Sequence, residues 1–192
     1  GCKSPLAIEE IIEDPKYPEF NFTTIAALCK RDASEPATGL AAIFVTNGVD
    51  IGSIEWDVNG TIFTGPILSG VEAGIYPVTV TTALGCALTK EIEIKTEIHP
   101  FNGVSRNGDG QNDIFFINCI ESFPTNIVKV FNRAGTLVYE AEGYDNNGTF
   151  FDGKSNRGIS LMGTSLPGGT YFYIIDKRDG SKPIAGYLEI VN

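Results

Sequence analysis

Ile75-Tyr76-Pro77-Val78-Thr79-Val80-Thr81 decides the fold class. Tyr76, Val78 and Val80 fall on one face of an extended chain and Thr79 and Thr81 on the other, the two-residue period of a half-buried strand. Upstream, Asn59-Gly60 separates Trp56-Asp57-Val58 from Thr61-Ile62-Phe63 and is a hairpin turn signal. Further strands are predicted at Thr24–Cys29, Ala41–Thr46, Ser53–Val58, Ile75–Thr82 and Leu88–Ile94, with Trp56, the only tryptophan, at the centre of their core. Downstream, strands are predicted at Ile98–Val104, Ile114–Ile117, Ile127–Phe131, Leu137–Glu140, Tyr171–Asp176 and Ile184–Val191. Asn132-Arg133-Ala134-Gly135 and Asp179-Gly180 are their hairpin turns. The fold class is all-β, as two consecutive Ig-like β-sandwich domains.

The composition agrees. Among 192 residues there are 22 Gly and 10 Pro, with 20% charged, which suits short strands and tight turns. The net charge of −10 argues against nucleic acid, whose phosphates need clustered Lys and Arg, and against an anionic membrane surface. No stretch is long and apolar enough to span a membrane. Gly1-Cys2-Lys3-Ser4-Pro5-Leu6-Ala7-Ile8-Glu9 echoes Gly85-Cys86-Ala87-Leu88-Thr89-Lys90-Glu91-Ile92-Glu93. The chain therefore reads as a fragment of a tandem array. Residues 1–17 close a preceding repeat, 18–96 form one sandwich and 97–192 another.

Four cysteines, Cys2, Cys29, Cys86 and Cys119, form no CxxC pair, and His99 is the only histidine, which argues against zinc. A Cys29–Cys86 disulfide is expected, because a strand end and the turn before the last strand lie close in a sandwich. The alternative is four reduced, buried thiols. Asn107-Gly108-Asp109-Gly110-Gln111-Asn112-Asp113 offers oxygens at alternate positions in a Gly-rich loop, and Asn107, Asp109 and Asp113 are candidate calcium ligands. The competing reading is a turn whose Asx side chains bond their own backbone. Gly143 to Gly169 is a long Gly/Asn/Ser-rich loop in which Phe150 or Phe151 plugs the sandwich or anchors a partner. No GxSxG, HExxH or other catalytic frame is present, so a non-enzymatic role is expected.

The second half resembles a known family, step by step. Phe101-Asn102-Gly103-Val104-Ser105-Arg106-Asn107-Gly108-Asp109-Gly110-Gln111-Asn112-Asp113 is similar to its "NgvSPNGDGxND" opening. Phe123-Pro124-Thr125-Asn126, Val130 to Glu140, Gly143-Tyr144-Asp145-Asn146, Leu166-Pro167-Gly168-Gly169-Thr170-Tyr171-Phe172-Tyr173 and Gly186-Tyr187-Leu188-Glu189-Ile190 follow in order. These steps resemble the gliding-motility-associated C-terminal domain, the type B sorting signal of the Bacteroidetes type IX secretion system. The preceding domain resembles the Ig-like repeats of SprB-like adhesins. Arg106 stands where the family usually has Pro, and Ala134 where it usually has Trp.

The resemblance implies a C-terminal signal and anchor of a large secreted surface adhesin. It implies export through the periplasm, recognition by the type IX translocon, and retention at the cell surface by a PorP/SprF-type outer-membrane barrel. The residues expected to meet these partners are Asn107, Gly108, Asp109, Gly110, Asn112 and Asp113 in the first loop, Asn132, Arg133 and Gly135 in the hairpin turn, and Leu166, Pro167, Gly169 and Thr170 in the last turn. The competing explanation is that the turns need those residues for themselves. A free-standing adhesive module binding glycan or a surface polymer, with or without calcium, is the alternative function.

Overall fold

The strand predicted around Val78 forms as Gly74–Thr82, and Tyr76, Val78, Val80 and Thr82 turn inward along it. The structure, a computed structural model, describes residues 16–31, 34–158 and 163–191. The repeat motif at Gly1 to Glu9, Cys2 and the closing strand expected in 1–17 lie outside these residues, apart from 16 and 17.

In chain order the strands are β1 Phe20–Ile25, β2 Ala27–Leu28, β3 Gly39–Val45, β4 Ile51–Val58, β5 Thr61–Thr64, β6 Ile67–Val71, β7 Gly74–Thr82 and β8 Ala87–Ile94. They continue as β9 Thr96–Glu97, β10 His99–Pro100, β11 Gly103–Ser105, β12 Ile117–Asn118, β13 Ile127–Phe131, β14 Leu137–Glu142, β15 Gly169–Asp176 and β16 Ile184–Val191. A single 3-10 turn at Ile120–Ser122 is the only helical element among the described residues. The all-β class stands.

Two compact units emerge, and neither is continuous in sequence. Among the described residues the first holds 16–25, Leu40–Ser69 and Gly74–Ile94. Its sheets are β1-β3-β6 and β5-β4-β7-β8. Trp56 is fully buried and donates Nε1–H to the Gly65 carbonyl at 2.9 Å, so the polar edge of the ring is satisfied inside the core. The β4–β5 hairpin turns on Asn59 and Gly60, both at positive φ, with Gly60 N–H bonded to Asp57 Oδ1. That left-handed pair matches the twist of the strands it joins.

The second unit holds the described residues of 26–39, Gly70–Ala73 and 95–191. Its main sheet runs β11-β16-β15-β13-β14, with β11 parallel to β16 and every other pair antiparallel. Val104, Val128, Val130, Tyr171, Tyr173, Ile175, Leu188 and Ile190 line the buried face. The opposing layer contains the small β10–β12 pair, the 3-10 turn and the long loop after β14.

That loop is tied down rather than free. Asn126, fully buried, accepts from Tyr144 N–H at Oδ1 and donates from Nδ2 to the Tyr144 carbonyl. Asn146 clasps Ile117 in the same two-way manner. The Tyr144 hydroxyl donates to the Phe115 carbonyl and accepts from Phe151 N–H. Phe151 is fully buried against Tyr139, with ring centroids 5.0 Å apart, while Phe150 is partly exposed. Phe151 is thus the plug, and it fills space beneath Tyr139. Ala134 is exposed at a turn tip, so the smaller side chain there leaves no core void.

The cysteine expectation needs correcting. Cys29 pairs with Cys119, Cα atoms 5.4 Å apart, and Cys86 is free. The Cys29–Cys86 pairing assumed that Cys29 stays within the first sandwich. Instead Ala27 and Leu28 pair in parallel with Thr96 and Glu97, which carries Cys29 into the second unit beside Cys119. Cys86 closes the β7–β8 turn through its own backbone, bonded to Thr82.

Candidate functional site: three turns at one end of a sheet

Strand register brings the three predicted turns together. Ser105 is opposite Val191, Ile190 opposite Gly169, Phe172 opposite Phe131, and Phe131 opposite Leu137. The ends of β11, β13 and β16 and the starts of β14 and β15 therefore lie at the same edge. The loop after β11, the β13–β14 turn and the turn before β15 all emerge there.

The β13–β14 turn is built around Asn132. Its Oδ1 accepts from Ala134 N–H at 3.0 Å and Thr136 N–H at 2.9 Å, and its carbonyl accepts from Gly135 N–H. A short side-chain acceptor is what this geometry needs, and Gly135 supplies a φ of 77°. Arg133 and Ala134 are exposed.

Arg133 Nη2 donates to Thr170 Oγ1 at 3.0 Å, and Thr170 Oγ1 donates onward to Glu189 Oε1 at 2.6 Å. This relay runs across β15 and β16 and ties the hairpin turn to the last turn. In that last turn Leu166 is buried in the core, so it anchors the turn instead of meeting a partner. The Pro167 carbonyl accepts from the Tyr171 hydroxyl, and Gly169 has φ 137°. Pro167 itself is exposed.

In the first loop the oxygens are already engaged. Asp113 accepts from Gly108 N–H at 3.1 Å and Gly110 N–H at 2.8 Å. Asp109 accepts from Gln111 N–H at 2.8 Å and from Asn107 Nδ2 at 2.7 Å, and Asn107 Oδ1 faces Asp109 N–H at 3.4 Å. Gly108, Gly110 and Asn112 take positive φ, and the Asn112 carbonyl accepts from Ser105 N–H, locking the loop to β11. The residues proposed as calcium ligands thus form a self-bonded Asx loop. Arg106 lies against Gly153: a Cβ on Gly153 would sit 2.9 Å from Arg106 Cδ. His99 is exposed with Phe101 edge-on to its ring.

One feature beside the turns escapes the strand reading. Phe131, Phe172 and Tyr187 are cross-strand neighbours on the outer face of the sheet. Phe172 and Tyr187 are about half exposed, at 49% and 52%. With Arg133 and Ile174 they line an open groove of about 620 Å³. The signal was in Tyr171-Phe172-Tyr173-Ile174-Ile175, which is apolar on both faces and does not alternate.

Against known proteins, residues 98–190 match the CHU_C Type IX secretion signal domain family. A comparison with curated proteins finds no match. Among the described residues no helix is long and apolar enough to cross a membrane, which says nothing of a β-barrel. The matched span contains the whole β13–β15 region and all three turns, and it supports a C-terminal sorting domain there, with export through the type IX machinery to the surface or medium as its implication.

Proposed function

We propose that the chain is the C-terminal signal and anchor of a large secreted surface adhesin, acting without enzymatic chemistry. An Ig-like adhesin repeat precedes a sorting domain. The type IX translocon reads the turn-bearing end of the β11-β16-β15-β13-β14 sheet, and a PorP/SprF-type outer-membrane barrel then retains the protein at the cell surface. The observation that carries this reading is the coincidence of the family match at 98–190 with the gathering of three turns at one sheet end.

The test is a display assay. The whole chain is placed behind a signal peptide and a fluorescent reporter, then expressed in a type IX-competent host with and without the barrel. Surface fluorescence that needs both translocon and barrel is the expected result. Reporter held in the periplasm of both strains would sink the proposal. A second reading, a glycan-binding module, draws on the outer-face row of Phe131, Phe172 and Tyr187, of which Phe172 and Tyr187 are half exposed, since flat aromatic faces suit the apolar faces of sugars. Binding of purified chain to a polysaccharide, lost in Tyr187→Ala, would favour it.

A further inference from the structure

We infer that the sorting domain is completed by oxidation: a Cys29–Cys119 latch docks a strand from outside the matched segment. The inference rests on the sorting reading above. The family match begins at residue 98, so Cys119 lies within it and Cys29 well before it. Yet Ala26–Gly39 belongs to the same compact unit as Lys95–Asn192.

Besides the disulfide, only short-range contacts hold this segment at its start: Ala27 is buried and its N–H donates to the Lys95 carbonyl at 2.8 Å, Leu28 N–H donates to Thr38 Oγ1 at 2.9 Å, and Lys30 pairs with Glu72 at 2.8 Å. The β2–β9 pairing has only two residue pairs, Ala27 with Thr96 and Leu28 with Glu97. So short a parallel ladder has marginal stability alone. Asn118 Nδ2 adds one hydrogen bond, 2.9 Å, to the Cys29 carbonyl. Cys119, by contrast, is buried in the core beside the 3-10 turn, and Cys29 packs against that core. One end of the latch is therefore set in the core, and the other is carried by a two-pair strand whose remaining contacts are few and short-range.

Closing it removes two protons and two electrons from two thiols and forms one S–S bond. The electron acceptor is a protein disulfide of the oxidising periplasm, and reducing cytosol keeps both thiols open. The complete domain is then present only after passage across the inner membrane. A translocon that reads the complete domain engages the protein only in that compartment.

The test uses the full chain throughout. In the display assay, Cys29→Ser, Cys119→Ser and the double Cys29→Ser/Cys119→Ser variant are compared with wild type, and Cys86→Ser is the control. Display is expected to fall about tenfold or more in the first three, a scale set by disulfide linkage, and to stay unchanged in the control. In parallel, hydrogen exchange is followed on purified wild type before and after reduction. Protection should be lost at Ala27–Leu28, Thr96–Glu97 and Ile120–Ser122 while β15 and β16 keep theirs. Equal display of wild type and the double variant overturns the proposal. So does exchange that is unchanged on reduction, or lost equally in β15 and β16. Absence of wild-type display overturns the sorting reading instead, and the exchange result then decides the latch by itself.

Discussion

Replacing Tyr144 by Phe removes one oxygen and two hydrogen bonds from the middle of the second unit. The ring is 1% exposed, and burial pushes its phenol well above the ordinary tyrosine range, so it stays neutral. Its hydroxyl joins the Phe115 carbonyl to Phe151 N–H, the latter at 2.9 Å. Without it both backbone groups stay buried, and each unsatisfied group costs about 1–3 kcal/mol. The ring itself remains, so the cavity added is small. A loss of about 3 kcal/mol is expected, and at roughly 4 °C per kcal/mol the Tm falls by about 12 °C. Urea unfolding followed by near-UV circular dichroism of the tyrosines is the assay, because Trp56 reports only on the first unit. Tyr187→Phe, at a half-exposed ring, is the control and should stay within about 0.5 kcal/mol. A Tyr144→Phe loss below about 1 kcal/mol would refute the reasoning, since it would mean the two backbone groups find other partners.

Other perturbations test other parts of the unit. Gly186 lies directly under the Tyr173 ring, and a Cβ there would collide with the phenol oxygen, so Gly186→Ala should destabilise by about 1–3 kcal/mol in the same urea assay. Asp145 accepts backbone N–H bonds from Thr149, Asn147 and Gly148, which hold its carboxyl below the usual range. Its folded pKa is depressed, so its contribution is present above the ordinary value of about 4 and is lost as pH falls through the folded value. The Tm gap between wild type and Asp145→Asn should therefore shrink on acidification below about pH 4, and a gap independent of pH would contradict this. Calcium at about 1 mM, enough for extracellular sites, should leave the Tm unchanged because Asp109 and Asp113 already serve backbone donors. A Tm that climbs with calcium concentration would show a site that this bonding does not reveal.

Local pattern and long-range pairing differed sharply in how legible they were. Ile127–Phe131 and Ile184–Val191 form with the bounds read from alternation alone, because each has one buried and one outer face. The Asn59-Gly60 and Asn132–Gly135 turns were equally legible, since left-handed backbone leaves few residue choices. β6, Ile67–Val71, was not, because Ser69 and Gly70 interrupt its apolar residues. The parallel pairing of β11 with β16 joins segments far apart in sequence and leaves no local mark. The Cys29 partner depended on the same kind of information: a two-residue strand, β2, decides which unit the cysteine enters. The turns of the candidate site were legible as turns, but their shared position needed the register of four strand pairs.

That register also separates residues that hold the turns from residues that display them. Asn107, Asp109, Asp113 and Asn132 spend their side-chain oxygens on hydrogen bonds within their own turns. Leu166 is core, and Gly108, Gly110, Gly135 and Gly169 are needed for backbone that side chains resist. Substituting any of these changes the turn itself, so lost export would not distinguish a broken loop from a broken contact. Arg133, Ala134 and Pro167 differ: they are exposed, and no turn hydrogen bond comes from the Arg133 or Ala134 side chain. Arg133 reaches across to Thr170, joining two turns at the surface without building either. On the proposed reading, a partner at this end of the sheet meets those side chains, and the recurrence of the glycines and asparagines is explained by the fold before any partner is invoked.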